Sequence, residues 1–299
     1  MQPIYLIKVL LAVFILIFTA FMLQSCTVTR EATLLDGKAT GPVNYPPIFL
    51  TSDQTLGHFV ISPHIEANTA GTLDGSVSAS GFTSSTNNLS WEISGMSGGL
   101  NLELPLSNSF SFTGSINLTR NNNPRGSAGI AIVSKSENIG FRLDGGLLFN
   151  RFSYDAHSAV VETITPLFGS SYTNTYYYHD IGNCGSNNLY ISVTLNSVNK
   201  DRFVNYFVNL GYFGQTILDY NPGNFDEGYY VLIPFPISVI NNTNLSYTAQ
   251  FFNIYPGLYF NLSDNARILA GSRILLETEM HSKSGSVLFS PSIQFEYSL

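Results

Sequence analysis

The chain has 299 residues, with 13 Lys+Arg against 20 Asp+Glu and a charged fraction of only 11% beside 44% hydrophobic and 13% aromatic residues. So few charges among so many rings exclude a disordered chain, a coiled coil and an ordinary cytosolic α/β enzyme. The formal net charge of −7 gives no basic footprint, so no nucleic-acid partner is expected.

Met1 to Lys8 carries one cation and no acid, Val9 to Leu23 is an almost unbroken apolar run, and Gln24-Ser25-Cys26 follows. A charged start, an apolar middle and a small residue at the cut make the order of a secretory signal. Leu23-Gln24-Ser25-Cys26 resembles the lipobox of bacterial lipoproteins, in which the cysteine becomes the lipidated first residue of the mature protein. The resemblance implies a signal peptide over 1–25 and a covalent lipid, such as palmitate, on Cys26; no cofactor is expected. The other reading of the same run is an uncleaved anchor, since counting from Ile4 gives about 20 residues, enough to span a bilayer, although Lys8 interrupts it. With Cys26 acylated, Cys184 is left as the one free thiol of the chain's two cysteines, and no intramolecular disulfide can form. Cys184 lies in Asp180-Ile181-Gly182-Asn183-Cys184-Gly185-Ser186, which reads as a loop, and is expected to be an incidental thiol.

Residues 26–56 mix Thr, Gly and Pro without sustained periodicity and read as the lipidated cysteine followed by an extended tether. Ile48-Phe49-Leu50 is an apolar piece suited to docking on the folded body. That body, residues 57–299, reads with period two and shows no confident helix. Leu100, Leu102, Leu104 and Leu106 alternate with polar residues, turn at Ser107-Asn108-Ser109, and return as Phe110, Phe112, Gly114 and Ile116. Further alternating runs fall near 58–67, 138–152, 188–198, 203–217, 229–239 and 245–250. Phe252, Ile254, Pro256, Leu258 and Phe260 share a face, Ser263-Asp264-Asn265 turns, and Ala266, Ile268, Ala270, Ile274 and Leu276 come back. The final run puts Val287, Phe289, Pro291, Ile293, Phe295, Tyr297 and Leu299 on one side and Ser290, Ser292, Gln294 and Glu296 on the other.

The body therefore resembles the bacterial outer-membrane β-barrel class in architecture: all-β, an antiparallel up-and-down transmembrane barrel of about 8–12 strands, with about ten expected. Long runs, aromatics near run ends (Phe149, Phe152, Tyr154; Tyr229, Tyr230; Phe295, Tyr297) and charges confined to one face carry the resemblance. Glu66, Arg142, Asp144, Arg267, Arg273, Glu277 and Glu296 are expected to face the lumen and pair there. Ile61-Ser62-Pro63-His64-Ile65-Glu66-Ala67 and Phe289-Ser290-Pro291-Ser292-Ile293-Gln294-Phe295 share one pattern and one face assignment, as neighbouring first and last strands of a closed wall would. The resemblance implies a lipid-anchored protein of the outer membrane of a Gram-negative bacterium, with the bilayer as partner and a structural, display or narrow, porin-like role. A lipid-tethered soluble β-sandwich or barrel, acting as a binding module in the periplasm or on the cell surface, fits the same alternation with the apolar face turned inward. A third reading, a lipid-modifying enzyme of the outer membrane, has no local catalytic signal behind it.

No metal site is expected. His58, His64 and Glu66 share a face, but His58 and His64 stand about 20 Å apart on an extended strand. His179-Asp180 near Cys184 has no second cluster at zinc-like spacing. Asn174-Thr175-Tyr176-Tyr177-Tyr178-His179 reads equally as an exposed tip or as the top of a strand.

Overall fold

The structure, a computed structural model, describes residues 13–14, 26–41, 43–51, 58–67, 71–75, 78–79, 89–93, 95–118, 125–166, 169–198, 202–224, 229–232, 235–278 and 287–299. The signal-like segment 1–25 lies outside these apart from Val13 and Phe14, and so do the side chains of Cys26, Tyr229 and Tyr230. In chain order the strands are β1 (Cys26–Thr40), β2 (Val60–Ala67), β3 (Gly71–Gly75), β4 (Ser78–Ala79), β5 (Leu89–Ile93), β6 (Met96–Ser107), β7 (Phe110–Leu118), β8 (Arg125–Lys135) and β9 (Ile139–Thr165). They continue with β10 (Tyr172–Ser197), β11 (Val204–Tyr220), β12 (Tyr229–Leu232), β13 (Phe235–Asn242), β14 (Leu245–Asn261), β15 (Ala266–Glu277) and β16 (Val287–Ser298).

Ten of these close a wall in the order β2-β6-β7-β8-β9-β10-β11-β14-β15-β16, every neighbour antiparallel, and β16 pairs back onto β2. The repeated Ser-Pro motif marks this seam: Ile65 pairs with Ile293 and His64 with Gln294. Pro63 lacks a donor, and the ladder skips it before resuming at Ile61 and Tyr297. An apolar groove of about 660 Å³ overlies the seam on the outer wall, lined by Pro63, Ile65, Met96, Pro291, Ile293 and Phe295 among others.

Period-two alternation sorts the side chains by face. On β9, Ile139, Phe141, Leu143, Leu147 and Phe149 point out, while Arg142, Asp144, Leu148 and Asn150 are buried within. Arg151 ends the outward apolar run. From Ile139 to Phe149 the strand covers about 33 Å, which at the usual tilt gives an apolar band about 25 Å tall. Exposed rings margin the band, with Phe203, Tyr206, Phe295 and Tyr297 toward one end and Phe149, Tyr212, Phe252 and Phe289 toward the other. Phe152, expected among them, is instead fully buried, because the wall has by then risen above the band and Phe152 turns in against Trp91 with ring centroids 5.4 Å apart. Tyr154 likewise stacks on Tyr220. The apolar face points outward, as a membrane wall requires, so the soluble-module reading with that face inward does not describe this barrel.

The two ends of the wall differ. Turns at 108–109, 136–138 and 262–265, the end of β10 and the start of β11, together with Phe59 and Leu299, lie at one end; the connections holding β3, β4, β5, β12 and β13 lie at the other. Beyond the band at that second end, β9 and β10 run on as one ladder from Ser197↔Ile139 to Tyr172↔Ile164. β1 joins the free edge of β9 above the start of β8, pairing from Thr40↔Ser153 out to Thr27↔Thr165. These three strands form a blade, extended by parallel pairing of β1 with β13 and with β5. The expected loop at Asp180–Ser186 is therefore strand within β10, and Asn174–His179 is the top of that strand.

The expected tether is built into the molecule as well. After Thr40 the chain turns into the barrel, and Val43, Asn44, Tyr45, Ile48, Phe49, Leu50 and Thr51 are each 5% exposed or less. This strap descends from Asn44, beside Phe149 and Asn150, to Thr51, beside Asn196 and Gly140 near the short-turn end. A Cβ on Gly41 would stand 2.8 Å from the Phe152 ring and closer still to the Arg125 guanidinium, so only glycine fits where the chain dives. Cys26 thus lies at the far tip of the blade, at the opposite end from both termini of the wall.

An apolar core of the ordinary kind sits at this mouth: Trp91 packs between Phe152 and Phe251 and donates its indole N–H to the Gly41 carbonyl at 2.8 Å. Trp91→Ala removes the ring and the donor, with an expected loss of about 3–5 kcal/mol. Gel migration in mild detergent checks this: unheated protein should run faster than boiled protein, and the variant should convert to the slow form at a lower temperature.

Candidate functional site

Inside the wall the charges expected on the polar faces meet in three groups. Lowest is Arg267, paired with Glu296 and donating Nη2 to the Leu50 carbonyl at 3.0 Å. Next comes Arg142, fully buried, with Nη1 2.5 Å from Glu103 Oε1 and Nε 2.9 Å from Asp144 Oδ2. Its Nη2 also donates to Asp144 Oδ1 at 2.9 Å, so the Asp144 contact is a fork. The third is Arg273, with Nε 3.0 Å from Glu66 Oε1. Glu277 stands higher on the same strand and accepts from the Tyr247 hydroxyl at 2.9 Å.

Each arginine also touches the strap. Arg142 lies over the Phe49 ring at 5.1 Å, Arg273 over Tyr45 at 4.5 Å, and Arg267 holds the Leu50 carbonyl. Cation–π contact in a site shut off from water is stronger than at a surface. Uncharged amides hold the strap's own peptide groups. Gln215 donates to the Asn44 carbonyl at 2.6 Å, Gln294 to Ile48 at 2.7 Å, and Asn196 both donates to the Thr51 carbonyl and accepts from its N–H. The Asn44 side chain donates to the Gly126 carbonyl and to Asn150 and accepts from Asn117. Pro46 and Pro47 carry no N–H, so this stretch runs through the lumen with fewer donors to satisfy. Between the amides, Ile48 and Leu50 pack with Phe207, Tyr255, Tyr259 and Leu269.

Glu103, Gln215, Asn196 and Asn44 are not among the residues expected to face the lumen, and Gln294 is expected only on the polar face of the last run and in the seam motif. Their common signal is an amide or acid on the inward phase of a strand, or next to a Pro-Pro pair. Of the groups weighed for metal binding, Glu66 belongs to Arg273, and His58 stands apart at the short-turn end. Cys184, above the band, donates Sγ–H to the Ile217 carbonyl at 3.2 Å, and burial pushes its thiol up to about 11, far from the thiolate a nucleophile needs.

The fold defines a class: closed ten-stranded antiparallel barrels with an apolar outer band and a charged, filled interior. No family model and no curated protein matches the chain. Among solved structures, it is similar to Ail, the attachment invasion locus protein of Yersinia pestis, at 13% identity and a TM-score of 0.22, with 82% of this chain and 100% of that one covered. It is also similar to a Pseudomonas aeruginosa FadL homologue at 8% identity and a TM-score of 0.28, covering 81% and 89%. At such scores the likeness carries no argument, and the class rests on this chain's own strand pairing.

Arg142→Leu leaves Glu103 and Asp144 facing each other in a closed interior, with an expected loss of about 3–5 kcal/mol. The triple variant Arg142→Leu/Glu103→Leu/Asp144→Leu should recover most of that. Urea unfolding in detergent, followed by the fluorescence of Trp91, the chain's single tryptophan, measures both.

Proposed function

We propose that this protein is an outer-membrane barrel, acylated on Cys26, that does not conduct: its own N-terminal strap seals it, and its role is to present the β1–β9–β10 blade at the cell surface. The observation that carries the reading is the buried strap, clamped at Asn44, Ile48 and Thr51 by wall amides and at Tyr45 and Phe49 by wall arginines. An apolar band of bilayer height, short turns at one end and long connections at the other support a wall that crosses the outer membrane with its long connections outside. The lipobox-like Leu23-Gln24-Ser25-Cys26 supports acylation of Cys26.

In that orientation β1 carries Cys26 outward to the blade tip, about 45 Å along the strand from Thr40, so a lipid on Cys26 belongs to the surface side and away from the barrel's own band, rather than to the inner leaflet that the position of the wall's own ends suggests. A display role without chemistry fits an interior whose charged groups hold the strap. A narrow pore is disfavoured because the strap occupies its path.

Planar-bilayer recording tests the seal. The full chain is expected to give no conductance steps, and a variant with residues 43–51 replaced by a Gly/Ser segment of equal length is expected to give them; steps from the parent protein would overturn the reading. Labelled palmitate should be incorporated by the parent and lost in Cys26→Ser.

A further inference from the structure

The blade carries a cluster that no spacing motif announces. Asp155 and His157 alternate on the outward face of β9, above Arg151, and His179 is the direct register partner of His157 on β10. The two imidazoles stack with centroids 4.1 Å apart and planes 12° off parallel. His179 Nε2 lies 2.8 Å from Asp155 Oδ1, and one ligand atom from each of the three residues falls within 4.8 Å of the others. All three are exposed, so an ion can reach them and their side chains can turn. On the other edge of β9, β1 registers Asp36 opposite His157, adding a carboxylate on the same face. Lys38 registers opposite Asp155, and its ammonium is engaged 2.5 Å from Glu92.

We propose that Asp155, His157 and His179 form a binding site for a first-row divalent metal ion of the zinc class. Two imidazole nitrogens and one carboxylate oxygen are a borderline donor set that suits zinc, copper(II) or nickel, whereas magnesium and calcium prefer oxygen throughout. Three protein ligands leave a fourth tetrahedral position to water. Zinc–nitrogen bonds of about 2.0–2.1 Å require donors about 3.3 Å apart, so binding turns the exposed imidazoles out of their stack until their in-plane nitrogens converge on the ion. The backbone supplies the rest: the β9–β10 ladder runs unbroken through both histidines, which fixes their Cα atoms opposite each other. The competing account of the cluster is a stacked histidine pair with one hydrogen bond to Asp155 and no affinity for an ion.

Calorimetric titration of the full-length protein with zinc chloride decides between them. The protein is purified in detergent through a tag without histidine and stripped with chelator beforehand. One-to-one binding is expected. His179→Gln, which keeps a hydrogen-bonding partner for Asp155, should weaken it at least about tenfold, and so should His157→Ala. His58→Ala, at the far end of the barrel, should leave affinity unchanged. Cobalt(II) provides a second readout: its visible absorption should appear with the parent and vanish with His157→Ala/His179→Ala. Retention of the heat-dependent gel shift identifies variants that still fold. No zinc binding by the parent, or equal binding by the folded double variant, would overturn the proposal.

Discussion

Everything in this molecule follows from turning a sheet inside out. With the apolar residues of each wall strand committed to the outside, the inside receives the other half of every alternation: Asn, Gln, Ser, and the charges Glu66, Glu103, Arg142, Asp144, Arg267, Arg273 and Glu296. A buried unpaired charge is costly, and a ring of ten strands is too wide for inward side chains alone to meet at the axis. The strap resolves both difficulties. It places apolar side chains on the axis and offers peptide carbonyls and aromatic faces to the arginines, so residues 43–51 complete the core of the barrel rather than decorate it.

Above the band the physics reverts to that of an ordinary two-layer protein. Trp91, Phe152, Phe213 and Phe251 gather under the blade with Leu34, Val160 and Leu218, and the outer faces of β1, β9 and β10 become mostly polar, with Leu35, Tyr177 and Ile181 exposed among them. β11 and β14 also reach into this upper core, but β9 and β10 run furthest beyond the band, which is why they are the longest of the described strands.

That change of regime also explains what was legible beforehand. Where a strand lies within the band, one face must be apolar, and 139–149, 204–212, 252–262 and 287–299 declare themselves by alternation. The seam between β2 and β16 was legible for the same reason, helped by a shared Ser-Pro motif. Beyond the band neither face need be apolar, so Ser153–Thr165 and Tyr172–Asn187 lose the alternating signal, and Cys184 looks like a loop residue. Phe152 and Tyr154 resembled margin aromatics because alternation cannot say at what height a strand leaves the membrane. Of the strap, the sequence shows that Ile48-Phe49-Leu50 is fit to dock but not where, since its partners Gln215, Gln294 and Asn196 are contributed from strands more than a hundred residues away. The His157–His179 pair depends on the β9–β10 register, which links residues 22 apart in number.

The path of the N-terminal segment has a mechanical consequence. β1 hangs from the blade by its ladder with β9, with its first residue at the tip, while β9 is rooted in the wall at the opposite end. A pull applied at the tip along the strand axis therefore loads the whole ladder in shear, with all its bonds resisting together instead of unzipping in turn. Force that passes the ladder arrives next at Gly41 and then at the clamps within the ring. The molecule is strung like a cord through its own grommet, and tension at the outer end bears first on the blade and the strap, before the wall.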